Sequence, residues 1–418
     1  MVNEDQYGGR FGLLSGRKRL TRVAIAALAG LGLVLSGCSS ADDFSAGSDA
    51  GASSEDALST LPAEVQANYE GSNALTGTTP YIEPWEPKGP PPWTIGFSSP
   101  YAGNSWQTIA KDHMMNEVLP AYQEAGLVED IIILESGGDD TVQQQQIRQL
   151  VDQGVDIIIA CCSAKTALNQ SIEYAFDNGV PFVAWSGSVD SPFAVSAVTN
   201  YRQAGAIFAK SVFEQMGGAG NVLNVFGVPG ATNAIDFENG VQDALAEYPD
   251  IKLVGTVDGM WSAPITKTEV QRFLATNPDQ IDGIVAQPAS ATGALQALQE
   301  SGRPIVPINI GGETGAACYW VKNPDFIGEA FNIWPPRGEA ELGVETAVRI
   351  LQQQGPRIQS IVLGVKPISY DQALAELGTD CDINADGWME PEGGWLTGEE
   401  LDVFFENPSD PFAWKSAS

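Results

Sequence analysis

A single histidine, His113, stands in a chain of 418 residues. That scarcity excludes most imidazole-dependent catalysis and any multi-histidine metal centre. Basic residues are also few, 21 Lys and Arg against 53 Asp and Glu, for a formal net charge of -32. A phosphate-binding surface needs clustered cations, so no nucleic acid partner is expected. Five cysteines are too few for a disulfide scaffold at this length. No G-x-S-x-G string is present, and His113 has no strand-end nucleophile beside it in sequence. The Gly-rich string Gly217-Gly218-Ala219-Gly220 precedes a strand pattern rather than a helix, so it reads as a turn and not as a phosphate loop. These absences argue against an enzyme and against a bound organic cofactor. Tryptophan and glycine are plentiful, at 10 and 45 residues, which describes a folded, turn-rich protein rather than a disordered acidic one.

The N-terminus reads as an address. Arg10, Arg17, Lys18, Arg19 and Arg22 precede the apolar run 23–35, which is short for a membrane span and is placed as an export signal should be. Leu35-Ser36-Gly37-Cys38 follows directly and resembles a bacterial lipobox, which implies a signal peptide over 1–37 and an acylated Cys38 holding the protein on the outer face of the cell membrane. Residues 38–92 hold no Lys or Arg before Lys88 and are rich in Ser, Ala, Asp and Gly, so they read as a flexible acidic tether with at most a short helix over 61–69.

From Trp93 onward strand and helix patterns alternate. Apolar runs at 93–97, 130–134, 156–160, 181–184, 222–226, 251–257, 281–286 and 304–308 read as buried strands. Between two of them, Leu168, Ile172, Ala175 and Phe176 make one apolar helical stripe. Repeated βα units imply an α/β fold with parallel sheets, and about ten strands suggest two of them. Ligands in such folds sit beyond the carboxyl ends of the strands.

The residues at those ends carry a resemblance. W-T-I-G-F-S-S-P-Y-A-G-N-S-W at 93–106, Q-Q-I-R-Q-L-V-D-Q-G-V-D-I-I-I at 145–159, G-V-P-F-V-A-W at 179–185 and G-A-L-Q-A-L at 293–298 are similar to a type I periplasmic substrate-binding protein of the ribose- and galactose-binding group. The resemblance runs from about 93 to about 370. It implies two Rossmann-like lobes with parallel sheets joined by a three-crossing hinge: 93–199 plus 334–360, and 200–333 plus 361–378, with an extension over 379–418. It implies a monomer that encloses a sugar or sugar-like solute by hinge closure and delivers it to ABC permease subunits. A ligand-presenting sensor component for a membrane receptor is the alternative.

The resemblance also implies site residues. Asn104 and Trp106 match the family's amide and aromatic pair after the first strand; a ring covers an apolar sugar face while an amide bonds a hydroxyl. Trp261 stands where a second aromatic is common, and Trp334 or Asn332 at the second crossing. Trp185 and Ser186, Asn233 and Phe237, Gln287, and Glu313 follow other strands, with Trp185 equally readable as core. Ser186-Gly187, Phe237 and Gly311 replace the usual Asp-Arg, Arg and Asp, which removes the strongest hydroxyl-binding groups and shifts weight to a less polar or larger ligand.

Two features lie apart from the cleft. Asp382, Asn384, Asp386 and Gly387 spell D-x-N-x-D-G, the opening of a calcium loop, with Glu390 or Glu392 as further ligands; an Asx-rich turn is the other reading. Cys161 and Cys162 are neighbours, too close for ordinary bridge geometry, and read as buried thiols. Cys318 and Cys381 are then the candidates for a bridge, although four cysteines allow three connectivities.

Overall fold

The computed structural model describes residues 54–83, 85–100, 104–161, 164–391, 394–395 and 398–414. The signal segment, Cys38, Cys162 and Glu392 lie outside them. Among the described residues no helix is long and apolar enough to cross a membrane.

Two parallel sheets carry the fold. The first has six strands in the order β10-β5-β4-β3-β1-β2, formed by β1 Trp93–Ser99, β2 Val128–Glu135, β3 Ile157–Cys161, β4 Phe182–Trp185, β5 Val195–Thr199 and β10 Ser360–Leu363. The second is β7-β6-β8, from β6 Gly220–Phe226, β7 Ile251–Asp258 and β8 Gly283–Ala286. A two-stranded antiparallel ribbon of β9 Ala330–Asn332 and β11 Lys366–Ile368 completes the strand set. The central β3 reads Ile-Ile-Ile-Ala-Cys and is buried throughout, as a parallel strand covered on both faces requires. Helices Asp140–Asp152 and Asn169–Asp177 cover one face, where Ile147, Leu150, Ile172 and Ala175 are fully buried.

The expected strand over 304–308 is absent. Pro304 and Pro307 each lack the N–H a ladder needs, and ladder pairing with the second sheet is reduced to one parallel bridge between Ile284 and Ile308. The chain passes from one sheet to the other three times. The first passage follows Thr199, the end of β5, and the second runs from Asn332 to Pro336, where a helix packs back on the first sheet. Pairing of Ser360–Leu363 with 196–199 keeps the chain in the first sheet beyond Ser360, so the third passage lies between Leu363 and Lys366.

Within the segment expected to be a tether, the described residues are docked. Ala57, Leu61, Tyr69 and Tyr81 are buried. The Tyr69 hydroxyl donates to the Ser360 carbonyl, Thr79 Oγ1 to Pro356 at 2.8 Å, and Gln359 N–H to Gly77 at 2.8 Å. Asn200 Nδ2 donates to the carbonyls of Asn68 and Glu70, each at 2.8 Å, which fastens this strap to the first crossing. Average composition hid it, because a few well-spaced apolar anchors hold a polar segment as firmly as a continuous stripe does.

Candidate functional site

Four indole rings converge where the two sheets face each other. Trp106 is 3% exposed in the first turn of the helix Ser105–His113, Trp261 follows β7, Trp334 sits at the second crossing, and Trp388 comes from the C-terminal extension. With Asn104, Gln107, Cys161 and Ala289 they line one cleft. None of these eight carries a charge. The rings of Trp106 and Trp334 lie 5.4 Å apart, those of Trp261 and Trp334 5.3 Å apart and nearly perpendicular, and Tyr201 meets Trp334 edge-on at 5.6 Å. The rings nearly fill the cleft: the enclosed volume is about 10 Å³, the room of roughly one water molecule. Larger hollows of about 630 and 480 Å³ lie beside the β9/β11 ribbon and the third crossing, away from these rings.

Hydrogen bonds position the cleft from both sides. Asn104 Oδ1 accepts the Gln107 backbone N–H at 2.8 Å and so caps its helix, which fixes where Trp106 emerges. Trp106 Nε1 donates to the Trp334 carbonyl at 2.6 Å, tying the first sheet's helix to the crossing. Trp261 Nε1 donates to Gln287 Oε1 at 2.9 Å, and Gln287 Nε2 donates to the Ala234 carbonyl at 2.9 Å, so Gln287 orients a ring from behind. The Ser186 carbonyl accepts the Tyr201 hydroxyl at 3.0 Å and the Asn233 amide at 3.2 Å, a link between the two halves. Asn332 accepts the Trp334 N–H at 3.1 Å and donates to the Met389 carbonyl at 2.7 Å. Trp334 Nε1 is buried with no acceptor among the described residues. An indole N–H left so costs about 1 to 3 kcal/mol, which a ligand oxygen in the cleft can recover.

Backbone strain gathers at the same place. Among the described residues, Ser186, Met260, Trp261, Ala289 and Gln353 are the non-glycine positions with positive φ, and the first four stand just after β4, β7 and β8. Each such residue costs on the order of 1 to 3 kcal/mol and persists where surrounding structure holds it, as at ligand clamps.

The remaining expected residues fall elsewhere. Trp185 is fully buried against Phe97 and beneath Trp106, with Nε1 on the Glu339 carbonyl at 2.7 Å; it supports the cleft from the core. Phe237 is 2% exposed and packs edge-on against Phe208 at 5.5 Å in the second half's core, not in the cleft. Glu313 is also enclosed, its carboxylate accepting the N–H of Gly311 at 2.7 Å and of Ala291 at 3.5 Å, and burial raises its pKa. It braces the loop rather than the ligand space.

Asp382, Asn384 and Asp386 are exposed, and Asp382 Oδ1 accepts the Asn384 backbone N–H at 2.9 Å, an Asx turn. Among the described residues no three His, Cys, Asp or Glu are grouped to hold a metal ion. Glu390 belongs to another constellation, with Oε1 3.3 Å from the Arg337 backbone N and 3.8 Å from its guanidinium. Cys318 and Cys381 are bonded, with Cα atoms 5.8 Å apart. Cys161 is disulfide-bonded as well, which corrects its buried-thiol reading.

Burial, ahead of every other influence, pushes the Glu390 carboxyl up to about 7, and the wholly buried Glu339 beside it is raised too, with neither carboxylate oxygen partnered among the described residues. The folded state therefore binds more protons than the unfolded chain between about pH 4.5 and 7, and stability falls as pH rises through that window. Glu390→Gln should flatten this slope and raise stability above pH 7 by about 1 to 2 kcal/mol, below the ~3 kcal/mol of an unscreened shift. Denaturant titrations at pH 5 and 8 measure it; an equal slope in both proteins would remove Glu390 from the account.

Gln107, Cys161, Ala289 and Trp388 escaped the sequence reading as cleft residues. Cys161 and Ala289 follow the strand-end rule and Gln107 lies next to Trp106, so each had a signal. Trp388 had none, being outside the stretch that carries the resemblance.

Comparison with known proteins agrees with this fold. A xylitol-binding protein of Mycolicibacterium smegmatis is 29% identical over 66% of this chain and 79% of its own. The crystal structure of an ABC transporter solute binding protein from Thermobispora bispora superposes with a TM-score of 0.66 at 24% identity, covering 74% of this chain and 93% of that one. The fructose-binding periplasmic domain of a hybrid two-component system has a TM-score of 0.58 at 22% identity, over 68% of this chain and 93% of that one. With residues 95–355 matching the family described as periplasmic binding protein domain, over half of its length, the chain belongs to that family of solute-binding proteins, which are not enzymes.

Proposed function

We propose that this protein is an exported solute-binding component of an ABC importer that captures a neutral sugar or polyol between its two sheets and hands it to a permease. One observation carries this reading: four indole rings and two amides converge on one cleft at the strand ends with no charged side chain among the lining residues. Rings cover the C–H faces of a polyol, and amides with the unpaired Trp334 N–H bond its hydroxyls. An anionic or cationic solute would have to shed its water with nothing of opposite charge to meet it. Because the enclosed space is so small, binding requires the halves to part at the three crossings and close again over the ligand. Mass spectrometry of solute co-purified with the mature protein, followed by calorimetric titration, should identify a neutral polyhydroxy compound; a charged metabolite binding more tightly than any neutral one would sink the proposal.

Presentation of the same ligand to a membrane receptor is the second reading, favoured only by the likeness to a sensor domain. Anchoring through Cys38 is part of the first. Cys38→Ala should leave uncut or released precursor with ligand affinity unchanged, and fatty-acid label persisting in that variant would refute the anchor.

A further inference from the structure

The C-terminal extension follows the family-matched stretch, which stops at residue 355, yet it places a ring in the ligand space. We propose that Trp388 contacts the captured solute and sets its selectivity, the extension acting as a fixed wall of the site. This rests on the sugar-capture reading and goes beyond it by adding a residue and a size limit.

Three observations carry the inference. Trp388 is 5% exposed and lines the same cleft as Trp106, Trp261 and Trp334. Its backbone is fastened on both sides. Thr314 N–H donates to the Gly387 carbonyl at 2.9 Å, Met389 N–H donates to Gly312 at 2.8 Å, and Asn332 Nδ2 reaches the Met389 carbonyl at 2.7 Å. Finally, Gly312 holds φ at +104°, and a Cβ there would stand 3.3 Å from Trp388 Cε3 and 3.0 Å from Asn332 Nδ2. The main chain is thus bare where the ring lies against it. Seven residues upstream, Cys381 is bonded to Cys318, which keeps the segment on the second half of the molecule.

A wall so fastened takes room from the ligand. Its ring, buried and packed against the bare Gly312 main chain, has little room to turn aside and is placed to favour compact solutes over larger ones.

The test is calorimetric titration of the full mature chain with xylitol, D-xylose, D-ribose and D-galactose, alongside thermal melts. Trp388→Ala should weaken binding of the preferred probe at least tenfold and narrow its preference over D-galactose, whereas Trp388→Phe, which keeps a flat ring, should stay within about threefold. Trp388→Leu keeps apolar packing without a flat face and should behave like the alanine variant, so a poorly folded alanine variant does not decide the question. Wild-type affinity and rank order in both Ala and Leu variants overturn the role of Trp388. Binding losses that only track loss of fold in both assign it to packing and overturn it equally. A wild type that binds none of the four overturns the sugar-capture reading, and this inference with it; the two failures show in different proteins.

Discussion

Trp106→Ala should abolish measurable ligand binding and lower stability by about 3 to 5 kcal/mol, both from the same ring. Its place after the first strand suggests a residue that binds without supporting the fold, so that the melt would survive the substitution. The structure gives it two tasks. One edge lines the cleft, while the body packs on Trp185 with centroids 5.2 Å apart and Nε1 holds the Trp334 carbonyl. Truncation leaves a cavity beside two large rings and strands a buried carbonyl at the crossing. Trp106→Phe separates the tasks, since it retains a flat face and removes the N–H. That variant should fold with a loss of about 1 to 3 kcal/mol and bind within roughly tenfold of wild type. Calorimetric melts and titrations of both variants measure these quantities; an alanine variant that binds as wild type while melting early would assign Trp106 to packing alone.

The sheets were legible because parallel strands covered on both faces are written as unbroken apolar runs, as in Ile157-Ile158-Ile159. The strands that escaped notice are short or diluted with small polar residues: β5 reads Val-Ser-Ala-Val-Thr, and β10 has four residues. The bounds implied by the resemblance put the third crossing near Ser360, whereas β10 keeps the chain in the first sheet to Leu363. Of the site, Asn104, Trp106, Trp261 and Trp334 were traceable to strand ends and the hinge, and these the structure gathers at one cleft. Phe237 and Glu313 were placed by position alone, yet whether a side chain at a helix start faces ligand or core depends on tertiary neighbours such as Phe208 and the Gly311 N–H. Trp388 depends on how a tail returns over the fold, which no local pattern encodes.

Removing the Cys318–Cys381 bridge with the double variant Cys318→Ser/Cys381→Ser should lower stability by about 2 to 4 kcal/mol. The bridge closes a loop of 63 residues, for which the chain-entropy argument gives roughly 4 kcal/mol. The lower figure applies if the unbridged extension stays docked, since Trp395, Leu401, Phe404 and Phe405 are all buried, and the Arg349 guanidinium, 1% exposed, reaches Asp402 at 2.6 Å. These contacts anchor the later part of the extension independently of the sulfurs. The stretch between Cys381 and Trp388 has weaker attachments: an exposed Asx turn, the Asn384 side chain on Gln296 at 3.1 Å, and the Gly387 carbonyl on Thr314. Loss of the bridge should therefore loosen the ring at 388 more than the helix Gly398–Asp402 beyond it. Affinity should fall in the same direction as in Trp388→Ala but by less, because the ring remains and only its fixation is weakened. Denaturant midpoints and titrations on the double variant test this order. An unchanged midpoint would show the extension held by packing alone, and a lowered midpoint with unaltered affinity would make the bridge a fastening without influence on the cleft.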